Sequence, residues 1–375
     1  MYGANTSLLQ LVLEMTKKYN VSPFVLLPKG TEDGLIRQLN VMGIPYLQVR
    51  LYSWVYRDKK KLYMAFFRSI LNFIQAIRLY FIFRKYDFDL IHSNSSVVDI
   101  GVYLKIFLRI PHVWHFREFG YLDYGVKPWI GCYLAKYVYK YGADKCIAIS
   151  KAISDHYMLG HKMVMIYNGV DTNRYKCITK GNSNAFVVNF CVVGAIQESK
   201  NQLSVIKAFS NIVKKDNLYS LFHLYIIGGG LDSKYGKALI DYIQDNNLND
   251  LVTLTGFVED VQNLLCKMDI ALVPSLHEGF GRVTIEFMLS CVAVIASNSG
   301  ANKELVIDKY NGLLYDLENL EALENSMLLL AENSSLRKEL IENANRYANE
   351  YFNSCNNCDK IFDLYREIIY KYKIC

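Results

Sequence analysis

Metal chemistry, a disulfide framework and a repeat architecture each find little support in this sequence. Histidine and aspartate do not gather at useful ligand spacing, so no divalent cation is expected. No unit recurs with a period of roughly 20 to 50 residues, which argues against a solenoid. The nine cysteines are odd in number and scattered through apolar segments such as CIAIS and FCVVG, a pattern that fits a reducing compartment rather than a stapled secreted fold. The close pair Cys355 and Cys358, in CNNC, lacks the second pair or the histidines that four-coordinate zinc requires, and reads as two neighbours on a helix. No secretory leader is evident: MYGANTSLLQLVLEM reads as a glycine turn followed by an amphipathic helix. The expectation is a cytoplasmic protein, with peripheral contact to the inner leaflet of the plasma membrane left open.

What is present is an apolar chain with uneven charge. At 375 residues, 52% hydrophobic and 21% charged, it is long enough for two domains of ordinary size and too apolar for extended disorder. Up to residue 170 there are 22 Lys+Arg against 11 Asp+Glu, and beyond it 20 against 25. The basic half points to an anionic partner, since summed charge concentrates counter-charged ligands. A nucleic-acid partner is disfavoured because the basic excess tracks an apolar helix rather than a nucleic-acid module.

Short β-rich runs alternate with helical stretches: FVLLPK, LIHSNS, HVWHFRE, KCIAIS and VMIYNG, then FVVNFCVVG, LYIIGG, VTLTGF, IALVPS and VAVIAS. Continuous apolar strands between helices imply parallel sheets covered on both faces, hence two doubly wound α/β domains. The polar, glycine-containing stretch at residues 168–184 reads as the join. The division expected is 1–168 and 169–354, with a helix at about 355–375 that could return to the first domain.

In open α/β sheets ligands bind beyond the carboxyl ends of strands. In VVGAIQESKNQ a strand ends at Gly194 and Lys200 stands near the start of the next helix, where a cation and free amides suit a phosphate. Out of context, a solvated turn lysine explains the same residues. YIIGGG lacks the full dinucleotide spacing and reads as a strand-end turn admitting a ligand or a neighbouring backbone. HEGFGRVTIE carries Glu278 in a loop and Glu286 in the helix that follows. Gly279 and Gly281 free the backbone, and the amides from Phe280 through Arg282 to Val283 suit a diphosphate. Carboxylates beside a diphosphate are tolerable where they face hydroxyls, as in a sugar or a ribose. The bland alternative has Glu278 capping the helix and Glu286 on the surface, yet the run FMLSCVAVIAS after Glu286 is typical of a buried face.

EGFGRVTIE resembles the E-x7-E motif of the retaining glycosyltransferases of family 4, and the likeness continues in MYGANTSLL, VVGAIQESKNQ, YNGVD, LVTLTGFVEDV and SNSGANKELVIDKYNGLLYD, in family order. The resemblance implies a GT-B fold: two Rossmann-like domains, acceptor-side then nucleotide-sugar-binding, with the active site between them and no metal or other cofactor. It implies that Glu278 contacts hydroxyls of the transferred sugar and stabilises its developing charge, and that Glu286 holds the ribose. Lys200, the amides around Gly281 and the Gly3 loop would neutralise the leaving diphosphate. The family histidine after the N-domain strand corresponds to His115 or, by spacing from Pro111, to Arg117, with Glu118 beside them; strand alternation puts His115 and Arg117 on one face. The implied partners are a nucleotide-sugar donor and a saccharide or lipid-linked saccharide acceptor. A nucleotide-sugar epimerase of similar shape is disfavoured by the fit of the whole motif.

Two departures stand out. Ala195 occupies the position where many relatives carry an arginine, so Lys200 has fewer cationic companions unless Arg282 substitutes. Met1 and Tyr2 directly precede Gly3, where the family's first strand is normally found; either the true start codon lies upstream, the preferred reading, or the chain is a truncated form whose N-domain lacks that strand. Together they motivate a second reading, a nucleotide-sugar-binding subunit with weak or no turnover.

Residues 57–85, RDKKKLYMAFFRSILNFIQAIRLYFIFRK, form a poor transmembrane span because two arginines and two amides interrupt it. They read either as an interfacial helix with lysines near anionic headgroups or as a core helix packed on its sheet.

Overall fold

The computed structural model describes residues 3–31, 33–175, 187–215 and 221–374. The chain forms two compact units, residues 1–169 with 354–375 and residues 170–353. The stretch 168–184 read as the join lies partly outside the described residues.

The first unit contains α1 (Gly3–Tyr19), β1 (Val25–Pro28), α2 (Asp33–Val41), β2 (Tyr46–Val49), β3 (Val55–Tyr56), α3 (Leu62–Phe83), β4 (Ile91–Ser93) and α4 (Ile100–Leu108). It continues through β5 (His112–Phe116), α5 (Tyr121–Tyr124), β6 (Lys127–Pro128), α6 (Gly131–Gly142), β7 (Lys145–Ala148), α7 (Lys151–Tyr157) and β8 (Met163–Met165). The strands β4-β5-β7-β8 form a parallel sheet in that order, β1 and β2 form a separate parallel pair, and β3 with β6 a small antiparallel one. Strand β5 is buried at every position, as its apolar run requires of a strand covered on both faces.

The second unit runs β9 (Val188–Val193), α8 (Gln202–Lys215), β10 (Phe222–Ile227), α9 (Lys234–Asp245), β11 (Val252–Gly256), α10 (Gln262–Leu265), β12 (Ile270–Val273), α11 (Arg282–Leu289), β13 (Ala293–Ser297), α12 (Asn302–Leu305), β14 (Leu313–Tyr315), α13 (Leu320–Glu332) and α14 (Ser334–Tyr351). Its six strands are parallel in the order β11-β10-β9-β12-β13-β14. Helix α8 shows why the sequence packs this way: Val205, Ile206, Phe209, Ile212 and Val213 recur at helical spacing, are buried, and meet Phe190 and Leu224 of the sheet in one core. Each such side chain contributes about 1.5–3 kcal/mol on burial.

The final helix, α15 (Ser354–Ile374), packs in the first unit, where Cys358, Ile361 and Leu364 join Leu11 and Met15 of α1. Cys355 and Cys358 are helical neighbours, the former exposed and the latter buried. Every strand read from a continuous apolar run is present. The short pieces β2, β3, β6 and β14 carried too little periodicity to be read.

Candidate functional site

Chain order and sheet order part company between β9 and β12. From β9 the chain builds outward to β10 and β11, then returns to the other side of β9 with β12. The loops leaving β9 and β12 therefore flank the topological switch point, where α/β sheets open a crevice. Lys200 follows β9 in the turn Glu198–Lys200, and Glu278 lies in the loop between β12 and α11. Their side chains meet: Lys200 Nζ is 2.7 Å from Glu278 Oε2. The Leu276 amide donates to the Ser199 carbonyl at 2.9 Å, so a backbone bond holds the two loops in register.

Glu278 Oε1 also accepts the Gly281 amide at 3.2 Å, so one oxygen of the carboxylate holds the turn into α11 while the other pairs with Lys200. Gly281 has φ +84 and is the left-handed N-cap residue of α11, with no side chain of its own to cap the helix. The Gly281 amide is accordingly committed to Glu278, not directed outward as the amide reading expected. Phe280 is buried against Phe352, Gly279 precedes it in the loop, and Val283 is half-buried in the first turn of α11.

Glu286 is buried within α11. Its Oε1 accepts from Arg282 Nε at 2.9 Å and from the Tyr175 hydroxyl at 2.8 Å, while Oε2 accepts no hydrogen bond from the described residues. Burial, then the adjacent Glu286 carboxylate, pushes the Tyr175 hydroxyl well above its ordinary range. The guanidinium expected as a substitute cation near Lys200 thus has its Nε engaged with Glu286.

Gly194 follows β9 with φ +152, a conformation that favours glycine, and a Cβ there would meet only the Lys200 side chain at 4.0 Å. A Cβ on Gly228, in the YIIGGG turn, would come within 1.8 Å of the Gly194 carbonyl oxygen, so the glycines there admit a neighbouring backbone. A similar contact was not legible in the sequence: a Cβ on Gly300, φ +49, would lie 2.4 Å from the Glu278 carbonyl oxygen and 2.6 Å from its amide nitrogen. The Ala301 amide also donates to the Glu278 carbonyl at 2.8 Å. Beneath the loop, Ser297 and Ser299 hydroxyls both donate to the Ser275 carbonyl at 2.7 Å, and Asn302 donates to Ser297. Tyr175, Gly300 and this serine brace were missed because each is recognisable only by what it touches.

In the first unit His115 and Arg117 share a strand face and touch, with Arg117 Nη2 3.3 Å from His115 Nδ1. Arg117 also donates to Asn94 and Asn168, each at 2.6 Å. His92 Nε2 lies 3.3 Å from His115 Nδ1, and the Tyr365 hydroxyl of α15 bonds the other His92 nitrogen. Burial, then Arg117, holds His92 down to about 3 and His115 well below the usual imidazole range. Burial and the neighbouring Arg117 thus favour the neutral form of both rings, and His115 Nε2 is buried with no partner among the described residues. Glu118 Oε1 accepts from the Ser95 hydroxyl and from the Ser96 amide and hydroxyl, each at 2.7 Å. This pins the loop after β4.

Gly3 departs from the reading that put it in a loop: it is the first residue of α1, without a positive φ and with open space around it. Nothing in its backbone there requires glycine. One Asp-x-Asp triplet, Asp87-Phe88-Asp89, stands between α3 and β4; both carboxylates are exposed, and Asp89 pairs with Lys373 at 3.3 Å.

Two parallel α/β units of this kind define the GT-B class of glycosyltransferases, and solved structures agree. Anabaena HepE in complex with UDP superposes with TM-score 0.80 at 20% identity, covering 98% of this chain and 96% of that one. Residues 1–174 match Glycosyltransferase Family 4 and residues 181–347 match Glycosyl transferases group 1. An uncharacterized glycosyltransferase of Methanocaldococcus jannaschii is 32% identical over 273 residues, 70% of this chain and 71% of that one. The UDP-Gal:alpha-D-GlcNAc-diphosphoundecaprenol alpha-1,3-galactosyltransferase of Escherichia coli is 28% identical over 321 residues, 78% of this chain and 79% of that one. The chain belongs to the family 4 glycosyltransferases.

Proposed function

We propose that this transferase moves a sugar, with retention of anomeric configuration and without a metal ion, from a nucleotide-diphosphate donor to a saccharide or lipid-linked saccharide in cell-surface polysaccharide synthesis. The observation that carries the reading is the Lys200–Glu278 pair at the switch point of the second unit. Breaking the anomeric bond builds negative charge on the diphosphate oxygen and oxocarbenium character on the sugar. An ammonium and a carboxylate 2.7 Å apart supply one counter-charge for each, already oriented, which is the arrangement that lowers such a barrier most. Glu286, whose Oε2 accepts nothing from the described residues, suits the vicinal hydroxyls of a ribose. His115 and Arg117 are assigned to the acceptor side, His115 with one ring nitrogen that has no partner among the described residues and Arg117 orienting the ring.

The donor class is supported by HepE, solved with UDP and with UDP-glucose. The acceptor class is supported by the E. coli relative named for a diphosphoundecaprenol-linked sugar and by relatives named for O-antigen biosynthesis.

The test is incubation of the full chain with labelled nucleotide sugars and a polyprenyl-diphosphate sugar, with and without a chelator. The expected result is an α-linked product from an α-linked donor, at a rate the chelator leaves unchanged. Donor binding without transfer or hydrolysis would favour the second reading, a weak or inactive binding subunit, which the exposed Ala195 motivates.

A further inference from the structure

Helix α3 is built inside out. Its protein-facing stripe is Ala65, Ser69, Asn72, Ala76, Leu79 and Phe83, mostly small or polar. Asn72 and Ser69 donate to the buried Asp99 carboxylate at 2.6 and 2.8 Å. The large apolar side chains point the other way: Phe67 is 57% and Phe81 60% exposed, with Leu71, Ile74, Ile77 and Ile82 also exposed along the helix. A helix dissolved in water places these residues the opposite way round. Small residues and hydrogen-bonded polar groups on the packing face, with bulky apolar groups outside, are the arrangement found where the surroundings are hydrocarbon. Soluble surfaces rarely expose so large an apolar patch unless it serves an interaction; the exposed Arg78 on this face has a stem long enough to carry its charge to a headgroup.

Charge selects the occupant. No acidic residue occurs within α3, the exposed Lys59, Lys60 and Lys61 precede it, and the exposed Arg84 and Lys85 follow it. Of the nearby carboxylates, Asp58 accepts from the Lys60 amide, Asp89 pairs with Lys373 and Asp87 is exposed, fewer than the five cations that flank the helix. A second copy of the chain would bring cations against cations in either orientation of the helix, so the face repels itself. An anionic surface is the complement.

We propose that the outward face of α3 docks on an anionic lipid bilayer, with the helix lying flat at the headgroup boundary. Lying flat rather than spanning follows from the packing. The inner stripe is fixed to the domain along its length, with Ala76, Leu79 and Phe83 in one core with Val49, Ile100 and Leu104, so a spanning path would drag polar structure into hydrocarbon. The helix is about 33 Å long at 1.5 Å per residue, and cations at both ends of a flat helix reach headgroups together. Along it, Phe66, Ser69, Ile70 and Phe73 of α3 with Tyr103 and Trp129 line an open, largely apolar cleft of about 230 Å³, which extends the apolar surface. On α6, which packs with α3 against α4, exposed Tyr133, Tyr137 and Tyr141 recur every fourth residue, the side chain favoured at a membrane–water boundary.

The inference stands apart from the transfer reaction and is tested apart from it. The full chain is sedimented with phosphatidylcholine vesicles, with and without phosphatidylglycerol, in low and raised salt. Binding is expected to the anionic vesicles, weakened by salt, and reduced about tenfold or more in the double variant Phe67→Ser, Phe81→Ser. That variant keeps its melting temperature and its thermal response to nucleotide sugars. Neutralising Lys59, Lys60 and Lys61 to Gln weakens binding several-fold and flattens the salt dependence. A Phe81→Trp reporter is quenched by brominated lipid. The proposal is overturned if the wild-type chain stays in the supernatant, if the serine variant binds as tightly as wild type, or if the wild type is a dimer that the serine variant dissociates.

Discussion

Lys200 and Glu278, 78 positions apart in the chain, meet through a 2.7 Å ion pair beneath which the Leu276 amide bonds the Ser199 carbonyl. Both groups are partly exposed, 29% and 14%, so their pairing adds little to stability. The arrangement is explained better by chemistry than by folding.

Replacing Lys200 or Glu278 by Ala is accordingly expected to lower sugar transfer at least tenfold, and by up to about 10²–10³ if the group faces the developing charge, while the melting temperature moves little. Purified variants assayed for turnover and by thermal scan check both halves. Wild-type turnover in either variant would contradict the assigned roles.

Glu286 is expected to act on donor affinity. Tyr175→Phe removes one of two donors to Oε1 and should raise the donor KM several-fold with kcat nearly unchanged, a loss of about 1 kcal/mol. Glu286→Ala leaves buried partners unpaired and should also lower stability by about 1–3 kcal/mol. Steady-state kinetics with varied donor, together with urea midpoints, distinguish the two.

Gly300→Ala puts a methyl group 2.4 Å from the Glu278 carbonyl oxygen and 2.6 Å from its amide nitrogen, at φ +49. Both neighbours are backbone, so the Glu278 loop must move. Stability is expected to fall by about 1–3 kcal/mol, and turnover to fall with it. Turnover equal to wild type would show that the loop tolerates displacement.

Stability should decline as pH falls below the ordinary histidine range. His92 and His112 are held down to about 3 and about 4, chiefly by burial, and His115 is lowered in the same way. In the unfolded chain these rings bind protons near pH 6.5, whereas in the fold they do not. The unfolded state therefore gains protons first, and each ring withdraws about 1.4 kcal/mol per pH unit between 6.5 and its folded value. Above 6.5 the effect vanishes. Urea midpoints at pH 7 and pH 5 measure the slope, and His92→Gln should make it shallower.

The sequence by itself determined the alternation of strand and helix. Parallel strands covered on both faces must be continuously apolar, and runs such as IALVPS and VAVIAS carry that requirement openly. It also marked two loops as candidates for the site, because HEGFGRVTIE and VVGAIQESKNQ place charge and glycine where a strand ends and a helix begins. Tertiary structure alone decided that β9 lies beside β12, which brings Lys200 to Glu278. It alone set Tyr175 and Arg282 on Glu286 and pressed Gly300 against the Glu278 backbone, and it turned the apolar side of α3 outward. These are matters of which surface meets which, and a periodic pattern states that a stripe is apolar without stating what will cover it.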